Sequence, residues 1–365
     1  MTPPVRRYGL AAAAWGQPAE KVRLDLRYAD DEAPLLDPAP ADVWAATVAV
    51  AGGYPTVGHY PVDDPYGGAR GAPVVAQHFG CPLAPDQVSF GAGITALLRD
   101  LSGLADAGPI VAPGLVHPDL EVWAARRGAQ IHLLAEPVTG KALVDAIGAL
   151  RPGVVHLDRP SFTAQVPGFD EVTAVARAAA AVGAVLVVDE AAAPYLRPTG
   201  SAVRLVGELD NLVVLRGFTK AYSMGGLRCG YAVASTAVAE RVRDLVVPMQ
   251  VGELSLAGAL RLLAAGDCFG PLRTRIREVK PAFAARLAEL GYQVTSGHAD
   301  IPWVVVADPG GSTADRLAAC GIRGLAPVPA PSEAPVASAP LHLTVPLSPR
   351  RIALFESLLR AEVPT

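Results

Sequence analysis

Lys220 stands in the stretch GFTKAYSMGGLRCGYAVAS, directly after Thr219 and ahead of Arg228. A lysine amine in a semi-apolar cleft condenses with aldehydes to form Schiff bases, and a guanidinium is a fork for phosphate. Taken alone, a Lys and an Arg more often face solvent, so their meaning depends on what the fold sets beside them. Upstream, VLVVDE ends a four-residue apolar run in Asp189. An acid there caps a helix or joins an ion pair, or it holds a proton on a ring nitrogen. Further upstream is GAGITA, residues 91–96, a glycine-rich helix start whose backbone N–H groups suit a phosphate. The same string satisfies the GxGxxA pattern of dinucleotide folds. Against that reading, the preceding DQVSF is short and polar, and no βαβ unit opens the chain.

These residues act together only if the fold gathers them. PIVAPG, QIHLLA, VVHLDRP, VLVVDE and NLVVLRGF read as short apolar strands, and RCGYAVAS as another. Between them PVVAQHFG, GAGITALLRDLSGL, DLEVWAARRGA, ALVDAIGALRPG and DEVTAVARAAAAVGA read as helices. Apolar strands alternating with helices predict an α/β fold, a mostly parallel central sheet with helices on both faces. Such sheets carry their sites at the carboxyl ends of strands, which is where Asp189 and Lys220 fall. One cleft would then hold a phosphate-binding helix start, an acid, an amine and an arginine. Pyridoxal 5'-phosphate requires that set.

From about residue 236 the pattern changes. AVAERVRDLVVPMQVGELSLAGALRLLAA and PLRTRIREVKPAFAARLAELG read as long helices, IPWVVVAD and LHLTVPL as strands, and SPRRIALFESLLRAEV as a last helix. A proline-rich loop, APVPAPSEAPVASAP, interrupts this smaller α+β domain. The boundaries expected are 1–45 for an N-terminal arm and part of the small domain, 46–265 for the large cofactor-binding domain, and 266–365 for the rest of the small domain.

Composition narrows the class. A chain of 365 residues can bury a large core. A formal charge of −4 offers no basic excess for nucleic acid. The four scattered cysteines form no metal-ligand spacing and no disulfide scaffold, which fits a reducing cytoplasm. No apolar run is long enough to span a membrane. The start, MTPPVRRYGLAAAAWG, faintly resembles a secretion signal but reads better as an arm on the domain.

DEAAAPYL followed by LRGFTKAYSMGGLRCGYAVAS resembles the fold-type I pyridoxal-phosphate aminotransferases, closest in look to the group of histidinol-phosphate aminotransferase and threonine-phosphate decarboxylase. The resemblance runs from about Tyr54 to the C-terminus. It implies that Lys220 is the Schiff-base lysine and Asp189 the partner of the pyridine nitrogen. It implies that Arg228 and Thr219 bind the phosphate with the backbone around Gly93, Ile94 and Thr95. It also implies a homodimer in which Tyr60 reaches the neighbouring subunit's phosphate.

The same resemblance exposes departures. The aromatic that stacks on the cofactor ring falls on His117, which could stack or move protons, or be an ordinary loop histidine. The asparagine bonded to the phenolic oxygen becomes Ser161, and the tyrosine expected after the acid becomes Ala192, leaving Tyr195 as a substitute. A threonine near the lysine becomes Gly217, which removes a phosphate contact. The arginine that grips the substrate carboxylate becomes His342, which cannot make the bidentate fork. Arg27, Arg159 and Arg197 are the substitutes the sequence offers. The resemblance thus implies an enzyme acting on an amino acid or amine through an external aldimine. Amino transfer in specialised biosynthesis comes first. Decarboxylation, decarboxylating deamination or side-chain lysis is the alternative that His342 raises. A DNA-binding regulator with an aminotransferase-like domain has no room for its extra domain, and no metal is expected.

Overall fold

The computed structural model describes residues 22–28, 30–50, 58–135, 138–309, 311–326 and 340–360. The N-terminal arm and most of the proline-rich loop expected from the sequence lie outside them. The chain forms two compact units. The larger holds Leu36–Ser161 and Pro167–Gly270. The smaller holds the chain up to Leu35, Phe162–Val166, and the chain from Pro271 onward.

The first described strand, β1 (Leu24–Asp25), belongs to the smaller unit. The larger unit is built on a sheet of seven strands among the described residues. They are β2 (Val88–Gly91), β3 (Ile110–Pro113), β4 (Ile131–Leu134), β5 (Val154–Asp158), β6 (Val185–Asp189), β7 (Leu212–Gly217) and β8 (Gly230–Ala234). Their order is β2-β8-β7-β6-β5-β3-β4. The pairs β3–β4, β3–β5, β5–β6 and β6–β7 are parallel, whereas β8 runs antiparallel to both β7 and β2. The reversal follows from the connection. Residues 218–229 hold one 3₁₀ turn and no helix to carry the chain back to a parallel start. They form a loop at the carboxyl end of β7, and that loop carries Lys220 and Arg228.

The helices of the larger unit are α1 (Pro40–Val50), α2 (Gly68–Phe79), α3 (Ile94–Leu101), α4 (Pro118–Arg126), α5 (Gly140–Leu150), α6 (Phe169–Ala181), α7 (Thr236–Leu245) and α8 (Glu253–Ala264); α2 to α7 pack on the strands, and α1 packs on α8. Leu97, Leu101, Leu120, Ala124 and Val242 from α3, α4 and α7 pack with Val154, Val187, Val213 and Leu215 of the strands in one apolar layer. The single long helix expected over 237–265 is two helices. Pro248 supplies no N–H, Met249 takes a left-handed φ of 56°, and Gly252 caps the start of α8. The break is used: Gln250 accepts from the Ala92 N–H at 2.6 Å and donates to Asp100 at 2.8 Å, fastening the turn that leads into α3.

The smaller unit holds α9 (Gly270–Glu289, from its second residue), β9 (Gln293–Thr295), β10 (Trp303–Ala307), α10 (Thr313–Ala319), β11 (Ile322–Arg323), β12 (Leu341–Thr344) and α11 (Pro349–Arg360). Its antiparallel sheet has the order β12-β10-β9, and β1 pairs in parallel with β11. The segment Phe162–Val166 is built into this unit. Trp303 Nε1 donates to the Phe162 carbonyl at 3.0 Å, and the His298 N–H donates to the Ala164 carbonyl at 2.8 Å. Lys280 on α9 donates to the carbonyls of His298 and Ile301, each at 2.8 Å. Burial pushes its amine down to about 8, with Asp300 pulling weakly the other way.

Candidate active site

Asp189 is the last residue of β6 and is buried. Its carboxylate accepts the Ala191 N–H at 2.8 Å. Burial pushes it above the usual carboxylate range and neighbouring Asp158 adds to this, while His156, the Ala191 amide and Lys220 oppose it. Asp189 and Lys220 therefore feel each other across the ends of adjacent strands. Lys220 and Thr219 are exposed in the loop after β7, where the sequence suggested a semi-apolar cleft.

His117 belongs to the same group of charges. It is the cap residue before α4, and its Nδ1 accepts the Asp119 N–H at 3.2 Å. Burial holds its imidazole below the ordinary histidine range, with Asp119, Asp189, Lys220 and Asp158 all acting on it. With Nδ1 accepting that N–H, the uncharged ring carries its hydrogen on Nε2.

Arg228 lies against the start of α3. It takes a left-handed φ of 48°, and its guanidinium donates to the carbonyls of Gly225 at 3.1 Å and Ala92 at 3.3 Å. Gly93 is the residue before α3, with φ 87°. A Cβ there would stand 2.8 Å from Arg228 Nη2. The first-turn amides of Ile94 and Thr95 have no acceptor within the helix. A guanidinium beside such amides is a cradle for an anion. Gly217 has its own reason to lack a side chain, since a Cβ would stand 3.1 Å from Ile94 Cγ1. The expected loss of a threonine contact is thus also room for the helix start.

Tyr195 is buried in the turn after β6, and Ala192 beside it is buried too. Ser161 is the last residue of its stretch of the larger unit and is half-buried. Tyr60 stands apart, 82% exposed. In the smaller unit, His342 on β12 packs its ring 4.9 Å from Trp303 and 5.8 Å from Phe162.

The three arginines offered as carboxylate holders differ. Arg27 is clamped by Asp25 through its Nε and Nη2. Arg197 is exposed. Arg159 is buried and committed to Glu190 at 2.7 Å, with Arg216 on the other oxygen of Glu190 at 3.0 Å. Ser201 and the Ala202 N–H complete the Glu190 set. This buried cluster ties the ends of β5, β6 and β7 together, so Arg159 is a structural cation.

Two site residues escape a reading of the sequence. His156 and Asp158, both on β5, are joined at 2.9 Å beside Asp189. Strand alternation sets them on one face, but only the β5–β6 register brings Asp158 opposite Asp189.

Residues 73–319 match the family model described as aminotransferase class I and II. The chain belongs to that family. The class I and II aminotransferases are pyridoxal-phosphate-dependent, and this chain is an aminotransferase-like enzyme of that kind. It is 29% identical over 260 residues to the aromatic amino acid aminotransferase of Mycobacterium bovis strain BCG / Pasteur 1173P2, covering 68% of this chain and 71% of that one. It is 28% identical over 195 residues to histidinol-phosphate aminotransferase 1 of Psychrobacter arcticus, covering 52% of this chain and 47% of that one, so the match spans about half of that relative. The fold of the Sinorhizobium meliloti histidinol-phosphate aminotransferase, solved with pyridoxal-5'-phosphate, superposes with a TM-score of 0.74 at 20% identity, over 94% and 92% of the two chains. The L-threonine-O-3-phosphate decarboxylase of Porphyromonas gingivalis gives 0.72 at 16% identity, over 93% and 98%. At these identities the two structures show a shared fold. Among the described residues no helix is long and apolar enough to cross a membrane.

The residues present fit the cofactor. The Arg228–Gly93 cradle suits a dianionic phosphate, a buried carboxylate suits a protonated ring nitrogen, and an exposed amine suits an aldehyde.

Proposed function

We propose that the chain is an aminotransferase of specialised biosynthesis that takes an amino acid or amine. The carrying observation is the convergence of Asp189, Lys220, His117 and the Arg228–Gly93 cradle at the carboxyl ends of β6 and β7 and the start of α3. Pyridoxal phosphate, when bound, supplies an electron sink for the bond broken at the substrate's reacting carbon. Lys220 would hold the cofactor's aldehyde and, once its amine is free, would move the proton at the substrate's reacting carbon. Asp189 holds the proton on the ring nitrogen. Arg228, Thr219 and the Gly93, Ile94 and Thr95 amides hold the phosphate. His117 would lie against the ring and Ser161 would serve the phenolic oxygen, with Tyr195 in second place.

The changed contacts support a specialised substrate: Ser161, Ala192, Gly217 and His342 each depart from the pattern the chain resembles. His342 and Arg27 serve substrate binding in this reading, Arg27 through exchange of its Asp25 partner. A second copy of the chain completes the site, with Tyr60 reaching across. The high exposure of Tyr60, Val50 and Val62 supports that dimer. A cytoplasmic setting is supported by four cysteines that are all free thiols.

The test is a panel of amino acids and amines offered to the holoenzyme with a keto-acid acceptor, scored for amino transfer and for CO₂. Lys220→Ala is expected to slow amino transfer on the order of 10²–10⁴-fold. One observation favours a second reading, decarboxylation. At position 342 a histidine packed against Trp303 and Phe162 replaces a carboxylate-gripping fork. Stoichiometric CO₂ without amino transfer would establish it in place of the first.

A further inference from the structure

His156 is an anomaly in its layer. It is 1% exposed on β5, with Val154 preceding it on the same face and Val187 opposite it on β6. An imidazole lodged among valines needs a reason. Its Nε2 is hydrogen-bonded to Asp158 Oδ1 at 2.9 Å. Asp158 is in turn the parallel partner of Asp189, so two carboxylates abut at the ends of neighbouring strands. One ligating atom from each of His156, Asp158 and Asp189 lies within 4.8 Å of the others. Carboxylates this close do not both ionise readily without a cation between them.

We propose that His156 is a positioning residue that acts through Asp189: clamped by Asp158, its imidazolium offsets the two abutting carboxylates and keeps Asp189 ionised toward the cofactor's ring nitrogen. The proposal rests on the reading that Asp189 meets that nitrogen. The electrostatics agree with the geometry. Burial opposes the charged form of His156, yet the hydrogen bond to Asp158 and the charges of Asp158 and Asp189 outweigh it and raise the imidazole above its ordinary range. Asp189 is pushed up by burial and Asp158 and pulled back by His156, the Ala191 amide and Lys220. The titratable groups facing this cluster are therefore Asp158 on β5, Asp189 on β6, Lys220 after β7, and His117 before α4, whose imidazole burial holds below its ordinary range.

The sign of each charge gives a test that a packing role would not pass. The dissociation constant for pyridoxal phosphate is measured against pH for the wild type, His156→Gln and the double variant His156→Gln/Asp158→Asn. His156→Gln removes the cation and leaves both acids. Its affinity should fall on the order of tenfold near neutral pH, with the pH at which affinity is lost moving upward by about one unit. The double variant removes one negative charge as well and should recover most of that loss. A double variant as weak as the single one would overturn the proposal. Independently of folding in the variants, ¹⁵N NMR of histidine-labelled wild-type holoenzyme should show His156 protonated on both nitrogens at neutral pH. A neutral imidazole at that position would also overturn it. Asp189→Asn separates the two levels of the argument. If it leaves affinity and the protonation of ¹⁵N-labelled cofactor unchanged, the reading of Asp189 itself fails. If it weakens both while the His156 variants bind as the wild type does, only the role of His156 fails.

Discussion

At the residue scale, Gly93 decides how closely Arg228 can approach the start of α3. Its φ of 87° already disfavours any other residue, and a Cβ would stand 2.8 Å from the guanidinium. Gly93→Ala should therefore cost stability of about 1–2 kcal/mol and displace Arg228 from the cradle. Urea unfolding of the apoprotein reads the first effect and a cofactor titration the second, and wild-type affinity for the cofactor would remove Gly93 from the phosphate site. Asp189 and Lys220 are legible in the sequence because each follows an apolar run and so marks a strand end. His156 and Asp158 are not, although VVHLDRP reads as a strand. Alternation shows that two residues share a face, but not which strand lies alongside or in what register. The role of Gln250 is equally hidden, because its partners Ala92 and Asp100 are distant in sequence.

At the scale of elements, the β5, β6 and β7 ends are held by Glu190 between two buried guanidiniums. Glu190→Gln leaves Arg159 and Arg216 buried without a counter-charge and should destabilise the larger unit by about 3–5 kcal/mol, read as a shift in urea midpoint at unchanged slope. A loss below about 1 kcal/mol would mean the cluster behaves as a surface pair. Lys280 makes a prediction of the other kind. Its folded value of about 8 lies below the ordinary lysine value of 10.5, so between those limits the unfolded chain binds the extra proton. Stability of the smaller unit should rise as pH climbs through that window, by an amount on the order of 3 kcal/mol at most, and Lys280→Met should lose the slope. The helix Pro40–Val50 goes unread, but the alternation of apolar strands and helices is legible from α2 to β8. The break between α7 and α8 is not, because the apolar spacing continues across it while Pro248 and the left-handed Met249 interrupt the backbone.

At the scale of the whole molecule, Val50, Tyr60 and Val62 line one open groove with Arg70 and Glu253, the latter two joined as an ion pair. Val62→Asp together with Val50→Asp should leave the fold intact and turn a dimer into a monomer, with cofactor affinity falling as the second copy's Tyr60 is withdrawn. Sedimentation at matched concentrations, paired with a cofactor titration, measures both, and a monomeric wild type would end the shared-site reading. The smaller unit is assembled from separated stretches: Leu24 pairs with Ile322, and the carbonyl of Phe162 accepts from Trp303. That arrangement sets an order for the ribosome. The larger unit can close once Gly270 has emerged, while β1 must wait for β11, which is made only after the larger unit. A nascent chain halted before β11 would carry a finished cofactor-binding sheet and an unfinished partner unit, which makes that interval the one in which a chaperone has most to protect.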